Sequence, residues 1–239
     1  MSATSATLKR NLEDISQRID AACERAGRAR SEVRAIAVTK YAELEWVREL
    51  IQLGWTTLGE ARPQQLVERA KHFQTELDSP SVNWHLIGHL QRNKVRSILP
   101  KVEVIHSVDS LRLLERIEFL AADTGTRPRV LLEVNIVEDA DKDGFSVANL
   151  LEEWPKLADR SRVQIDGLMT MAPHTNDESL IRQTFSTLRE LRDRLRDQSS
   201  PTHPLPELSM GMSGDFEYAI EEGSTMVRIG SALFEGLGS

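Results

Sequence analysis

The sequence predicts an α/β fold, a single (β/α)8 TIM barrel with an extra helix at the N-terminus. Two observations predict it. Eight short runs rich in β-branched residues are each followed by a helical or turn segment, and the series fills nearly all 239 residues. The first strand ends in Thr39-Lys40-Tyr41, without the glycine-rich turn that often opens the competing doubly wound sheet.

Leu8, Leu12, Ile15, Ile19 and Ala22 recur at three- and four-residue spacing, so residues 6–28 read as an amphipathic helix ending near Gly27. Its ordered part is expected over 8–28, with 1–7 disordered. The predicted strand and helix of each unit then follow in order. They are 33–38 with 42–53, 56–59 with 63–77, 83–87 with 91–99, and 102–107 with 110–122. Next come 130–136 with 147–159, 163–169 with 179–196, and 207–210 with 216–222. Strand 226–229 and a turn over 232–235 complete the series. The Ser- and Pro-rich stretch 197–206 reads as a loop, and too few residues follow it for another domain. The whole of 1–239 therefore reads as one domain.

Composition narrows the function. There are 30 Lys and Arg against 37 Asp and Glu, a net charge of −7, and aromatics are 5%. That disfavours a nucleic-acid surface, which needs a basic stripe or stacking rings. The single cysteine, Cys23, cannot form an internal disulfide and reads as inert. No apolar run reaches membrane-spanning length, and the N-terminus lacks the apolar core of a signal peptide. A cytoplasmic protein that contacts no membrane is the expectation.

In a barrel of this kind the C-terminal strand ends carry the site. Lys40, Glu60, Arg62, His106, Asn135, Ser213, Arg228, Gly230 and Ser231 lie at or near such ends. Lys40 follows the apolar run Ile36-Ala37-Val38-Thr39. There it is either a solvated loop lysine or, if desolvated, an amine able to form a Schiff base. Met212-Ser213-Gly214 and Gly230-Ser231-Ala232 follow strands seven and eight, where this fold often builds a phosphate site. Arg228 alternates with Val227 and Ile229, which turns it to the opposite face, toward the barrel interior.

Several motifs come in order: Ala37-Val38-Thr39-Lys40, Leu58-Gly59-Glu60, Trp84-His85-Leu86-Ile87-Gly88 and Leu90-Gln91-Arg92-Asn93-Lys94. Gly167-Leu168-Met169, Met210-Gly211-Met212-Ser213 and the nine residues Gly223 to Ser231 complete the set. With these the chain resembles the pyridoxal phosphate homeostasis proteins over about residues 8–236. That family is related to the N-terminal domain of alanine racemase and has the fold-type III barrel. The resemblance implies that Lys40 holds pyridoxal 5′-phosphate (PLP) as an internal aldimine. It implies that Ser213, Gly230 and Ser231 bind the phosphate and that Arg228 faces the pyridine nitrogen. It places Met169 and His85 at the barrel mouth as further cofactor-binding positions. The match departs at Ala61, where the family usually has asparagine, and at Gly214, where it often has an acid.

The resemblance implies a PLP carrier and buffer acting in intracellular PLP homeostasis, with no catalytic residue and no metal. PLP-dependent apo-enzymes are its expected recipients, and a monomer its expected state. An arginine at the ring nitrogen makes a weak electron sink. A racemase needs two bases on opposite faces of its substrate. Alanine racemase takes the second from a tyrosine of a β domain, for which the sequence leaves no room after strand eight. Tyr41 is expected to point away from Lys40, and Tyr218 to lie in a helix. The alternatives are a low-activity amino-acid racemase and a Schiff-base aldolase or sugar-phosphate isomerase. His85 and His89 are four apart but begin in a strand, so they should not share a face. Arg92, Lys94 and Arg96 read as a solvated basic run or an attractor of anions. Lys142 reads as a loop charge or a family lysine, and the methionines near strand ends as core.

Overall fold

The structure, a computed structural model, describes residues 3–76, 81–139, 142–199 and 203–237. Met1, Ser2, Leu77, Asp141 and residues 200–202, which carried expectations, lie outside them. Eight parallel strands close into a barrel in chain order, with β8 returning to β1. The order is α1 (Ala3–Arg25), β1 (Arg34–Val38), α2 (Leu44–Gln52), β2 (Thr57–Glu60), α3 (Pro63–Glu76), β3 (Asn83–Leu86), α4 (Val95–Ile98), β4 (Val104–Val108) and α5 (Leu111–Thr124). It continues with β5 (Arg129–Glu133), α6 (Val147–Ala158), β6 (Gln164–Met169), α7 (Glu178–Asp197), β7 (Glu207–Met212), α8 (Phe216–Glu221) and β8 (Met226–Ile229).

Alternation along the strands divides the core in two. Ala37, Leu58, Ile105, Leu132, Leu168, Leu208, Val227 and Ile229 face outward and join the helices in the main apolar cluster. Ile36, Val104, Leu131, Met169 and Met226 form a separate cluster inside the barrel. Both faces of a parallel sheet are thus buried, which is why these strands read as nearly continuous apolar runs.

The extra helix has a structural role. Among the described residues β8 is followed by a 3-10 turn, Ser231–Phe234. The eighth position in the outer ring of helices is taken by α1, which packs against α8, α2 and that turn. It buries Leu8, Leu12, Ile15, Ile19, Ala22 and Cys23, the stripe its spacing predicts. Asn11 Nδ2 donates to the carbonyls of Leu233 (3.0 Å) and Glu235 (2.9 Å), tying the N-terminal helix to the C-terminal turn. Residues 3–7, expected to be disordered, instead form the first turns of α1, where Ser5 is buried. Burial also pushes the Cys23 thiol pKa up, which lowers its reactivity.

Some boundaries differ from expectation. The segment 91–99 divides into a 3-10 turn over Arg92–Lys94 and the short α4. β5 stops at Glu133 because the Asn135 side chain turns the chain, donating to Asp139 O (2.7 Å) and Lys142 O (3.3 Å). β7 runs two residues further than predicted, through Gly211 at φ +93°. A Cβ there would lie 2.5 Å from the Ala219 methyl, so only glycine lets α8 pack this close.

At the N-terminal end of the barrel, Arg129 pairs with Asp166, Glu103 (3.1 Å) and Glu207 (3.7 Å). Arg34 reaches Glu207 at 3.8 Å. β6 and β7 approach closely at Gly167, where a Cβ would sit 1.8 Å from the Glu207 carbonyl oxygen. Gly167→Ala must therefore push two strands apart. The expected destabilisation is about 3 kcal/mol, read as a fall in Tm of about 6–12 °C. A thermal melt unchanged by this substitution would contradict the close approach.

Candidate functional site

Lys40 stands just past β1 and is exposed, while Thr39 before it is fully buried. One guanidinium holds the backbone on both sides of it. Arg69 on α3 donates to Thr39 O (2.6 Å) and Ala42 O (2.5 Å), and pairs with Glu60 Oε1 (2.6 Å). The Thr39 hydroxyl donates to the same Glu60 oxygen. Burial raises the Glu60 carboxyl pKa, opposed by the Thr39 and Arg69 contacts. Removing either partner would strand a buried charge. Glu60 therefore turns away from the barrel mouth to serve this clamp, a role its place after strand two did not reveal.

The chain turns sharply after Thr39, with Ala42 N donating to Thr39 O (2.8 Å). Tyr41 consequently does not point away from Lys40. The strand has already ended, and Lys40 Nζ lies 5.0 Å from the centre of the Tyr41 ring, a cation–π distance. Tyr41 itself is 77% exposed.

The loops after β7 and β8 meet as expected. Gly230 N (3.0 Å) and Ala232 N (3.4 Å) both donate to Ser213 Oγ. Two backbone N–H groups thus converge on one point, and the Ser213 hydroxyl proton adds a third donor. That is the donor set of a small oxyanion site. Ser231 is exposed beside them. Gly230 lies against Val38, 3.4 Å from the position its own Cβ would take, which keeps β8 close to β1. A side chain at Gly214 would enter open space. At Ala61 the backbone packs against Gly88, so that departure from the family removes a side-chain amide and leaves the close approach intact.

Arg228 faces the barrel interior, as alternation required, and is only 4% exposed. Nη1 donates to Ser209 O (2.8 Å) and Ser209 Oγ (2.6 Å), and Nη2 to Thr170 O (2.9 Å). Among the described residues its other two N–H groups, on Nε and Nη2, have no acceptor. Burial lowers its pKa to about 10, with Asp215 and Glu133 opposing, so it stays charged at neutral pH. β8 pairs with β1 in the register Ile36↔Arg228 and Ala37↔Ile229. Lys40 and the Gly230 amide thus follow adjacent strand ends, above Arg228.

The remaining expected residues lie deeper. Met169 is buried in the inner apolar cluster. His85 is fully buried within the barrel, its Nδ1 2.8 Å from His106 Nε2, and does not line the mouth. It faces inward by strand alternation, because its neighbours Trp84 and Leu86 join the outer apolar cluster. Burial first, then Arg34 and Arg129, lower its pKa to about 3. His89 sits elsewhere, with Nδ1 3.1 Å from Asp143 and 3.4 Å from Asp109. Lys142 Nζ reaches Ala172 O at 3.4 Å. In the basic run, Arg96 pairs with Asp123 (2.7 Å), and Arg92 lines an open groove with Asn93 and Arg116 of α5.

Glu133 was missed by sequence reading, since it resembles any strand-end carboxylate. Burial, then Asp109 and Asp143, raises its pKa to about 7, with Arg228 and His89 opposing. Between about pH 4.5 and 7 the folded chain keeps a proton here that the unfolded chain has lost. Its contribution to stability therefore falls as pH rises through that window. Glu133→Gln is expected to flatten the decline of Tm between pH 5 and 7. An identical decline in both proteins would remove Glu133 as its source.

Comparisons with known proteins agree with this geometry. The family model for the alanine racemase N-terminal domain matches residues 10–237. The pyridoxal phosphate homeostasis protein of Aquifex aeolicus is 39% identical over 223 residues, covering 93% of this chain and 95% of its own. The structure of PipY from Synechococcus elongatus with PLP bound superposes with a TM-score of 0.81 at 35% identity, over 92% of this chain and 99% of that one. An alanine racemase from Clostridium difficile shares the fold alone. Its TM-score is 0.73 at 14% identity, over 98% of this chain and 58% of that one. No helix among the described residues is long and apolar enough to cross a membrane. The chain belongs to the alanine racemase N-terminal domain family and, within it, to the pyridoxal phosphate homeostasis proteins.

Proposed function

We propose that this chain binds PLP at the barrel mouth and serves PLP homeostasis as a carrier and buffer. The observation that carries the reading is the convergence at one barrel end of an exposed lysine, paired backbone donors and a buried cation. The residues fit the group. The Gly230 and Ala232 amides converge on Ser213 Oγ. A phosphate seated there would take those two donors in place of the hydroxyl oxygen and accept a third from the Ser213 O–H, with Ser231 at their edge. Arg228 has two N–H groups free to face an acceptor such as a pyridine nitrogen. Lys40 supplies the amine, on a backbone that the Arg69 clamp holds in place. When bound, PLP supplies an aldehyde that takes up amines reversibly and a ring whose electron demand depends on protonation of its nitrogen.

The chain's own groups favour holding over turnover. Arg228 would donate at the ring nitrogen and keep its own proton, which would leave the ring a weak electron sink. Lys40 and Tyr41 lie on one turn, so they do not flank a substrate from two faces as racemase bases must. The same reading takes the chain as one barrel domain acting as a cytoplasmic monomer, with PLP-dependent apo-enzymes as recipients. Met169 supports the site from below.

Added PLP is expected to give a yellow absorbance band, and borohydride to bleach it while fixing the cofactor's mass on Lys40. Lys40→Ala should lose both the band and the fixed mass. A wild-type protein that stays colourless with excess PLP would overturn the reading, and measurable amino-acid racemisation would favour the racemase alternative. Ser213→Ala is expected to weaken PLP binding about tenfold while leaving the borohydride-fixed position unchanged. Unchanged affinity in that variant would remove Ser213 from the cradle.

A further inference from the structure

Arg228 is one end of a file of side chains that crosses the barrel interior. Ser209 Oγ accepts from Arg228 Nη1 (2.6 Å) and lies 2.9 Å from His106 Nδ1. His106 Nε2 lies 2.8 Å from His85 Nδ1. The four residues come from β8, β7, β4 and β3, and all are buried. His85 Nε2 ends the file, buried and without a hydrogen-bond partner among the described residues.

The polarity of this file follows from its fixed end. Arginine only donates, so Ser209 Oγ must accept from it. Burial keeps both imidazoles neutral, so each carries one proton. The Ser209 proton then goes to His106 Nδ1, His106 carries its proton on Nε2, and that proton is donated to His85 Nδ1. Among the described residues this polarity leaves one group unpaired, the His85 Nε2–H, whereas the reverse leaves two, the Ser209 proton and the His85 Nε2 lone pair.

We propose that His106, acting through Ser209 and backed by His85, is a positioning residue that sets the orientation of Arg228 toward the PLP ring nitrogen. The proposal rests on the PLP-binding reading above. With its proton committed to His106, Ser209 presents a lone pair to Nη1. Both Nη1 protons are then used on Ser209, and one Nη2 proton on Thr170. A planar fork held at three points cannot turn, so Nε–H and the last Nη2–H keep one direction. The two imidazoles do this without placing a like charge beside the guanidinium.

Nitrogen-15 NMR of the wild-type protein without PLP is expected to show His106 protonated on Nε2 with an acceptor Nδ1. A proton on His106 Nδ1 would overturn the proposal. In the PLP-loaded protein, Ser209→Ala and His106→Leu are each expected to weaken PLP about three- to tenfold and to shift the absorbance band and its pH midpoint in the same direction. His106→Asn, whose amide oxygen can take the Nδ1 place, should restore the wild-type band. The double variant Ser209→Ala/His106→Leu should shift no further than Ser209→Ala alone. Additive shifts, or a loaded His106→Leu protein with wild-type band and affinity, would refute the relay. Should His106→Leu not fold, Ser209→Ala and the tautomer measurement still decide. A wild-type protein that takes up no PLP would sink the binding reading, and the tautomer would then judge the file on its own.

Discussion

A guanidinium enclosed by a barrel is the constraint around which this interior is organised. A charge removed from water must be hydrogen-bonded or paired. Among the described residues no carboxylate is hydrogen-bonded to Arg228, so backbone carbonyls and one hydroxyl do the work, with Asp215 and Glu133 helping through space. The polar residues inside the barrel follow from that demand. Ser209 and Thr170 surround the cation, and His106 and His85 extend the file from Ser209. Beside them lies the inner apolar cluster of Ile36, Val104, Leu131, Met169 and Met226.

The two ends of the barrel divide the labour. At the N-terminal end, Arg129 and Arg34 share acidic partners and tie β1, β5, β6 and β7 together. At the C-terminal end the polar groups are left open to an incoming molecule. Lys40 is exposed, and the Gly230 and Ala232 amides both donate to the Ser213 hydroxyl oxygen. The Arg69–Glu60 pair joins stability to function, because the interaction that secures α3 to the barrel also fixes the turn bearing Lys40. α1 plays a comparable part at the β8–β1 seam. By filling the eighth helical position it packs on the turn that directly follows Gly230 and on the helices to either side of the seam.

The sequence by itself determined what depends on local order. Period-two alternation turned Arg228 inward, and three- and four-residue spacing marked the buried face of α1. Glycine and serine after the last two strands marked the loops whose amides converge, and the apolar run before Lys40 placed the lysine at a strand end. The tertiary structure decided what depends on partners far apart in the chain. Ser209 and His106 are 103 positions apart, and Arg69 is 30 positions from the carbonyl it holds at Thr39. Neither pairing has a periodic signature. The place of Glu60 after β2 does not reveal its partner on α3, and that of His85 in β3 does not reveal its partner His106 on β4. The Glu133 pKa belongs to the same group, since burial and the charges on three loops exist only once the barrel has closed. Backbone periodicity is written in neighbouring residues, whereas desolvation and hydrogen-bond partnership arise only when distant strands are brought side by side.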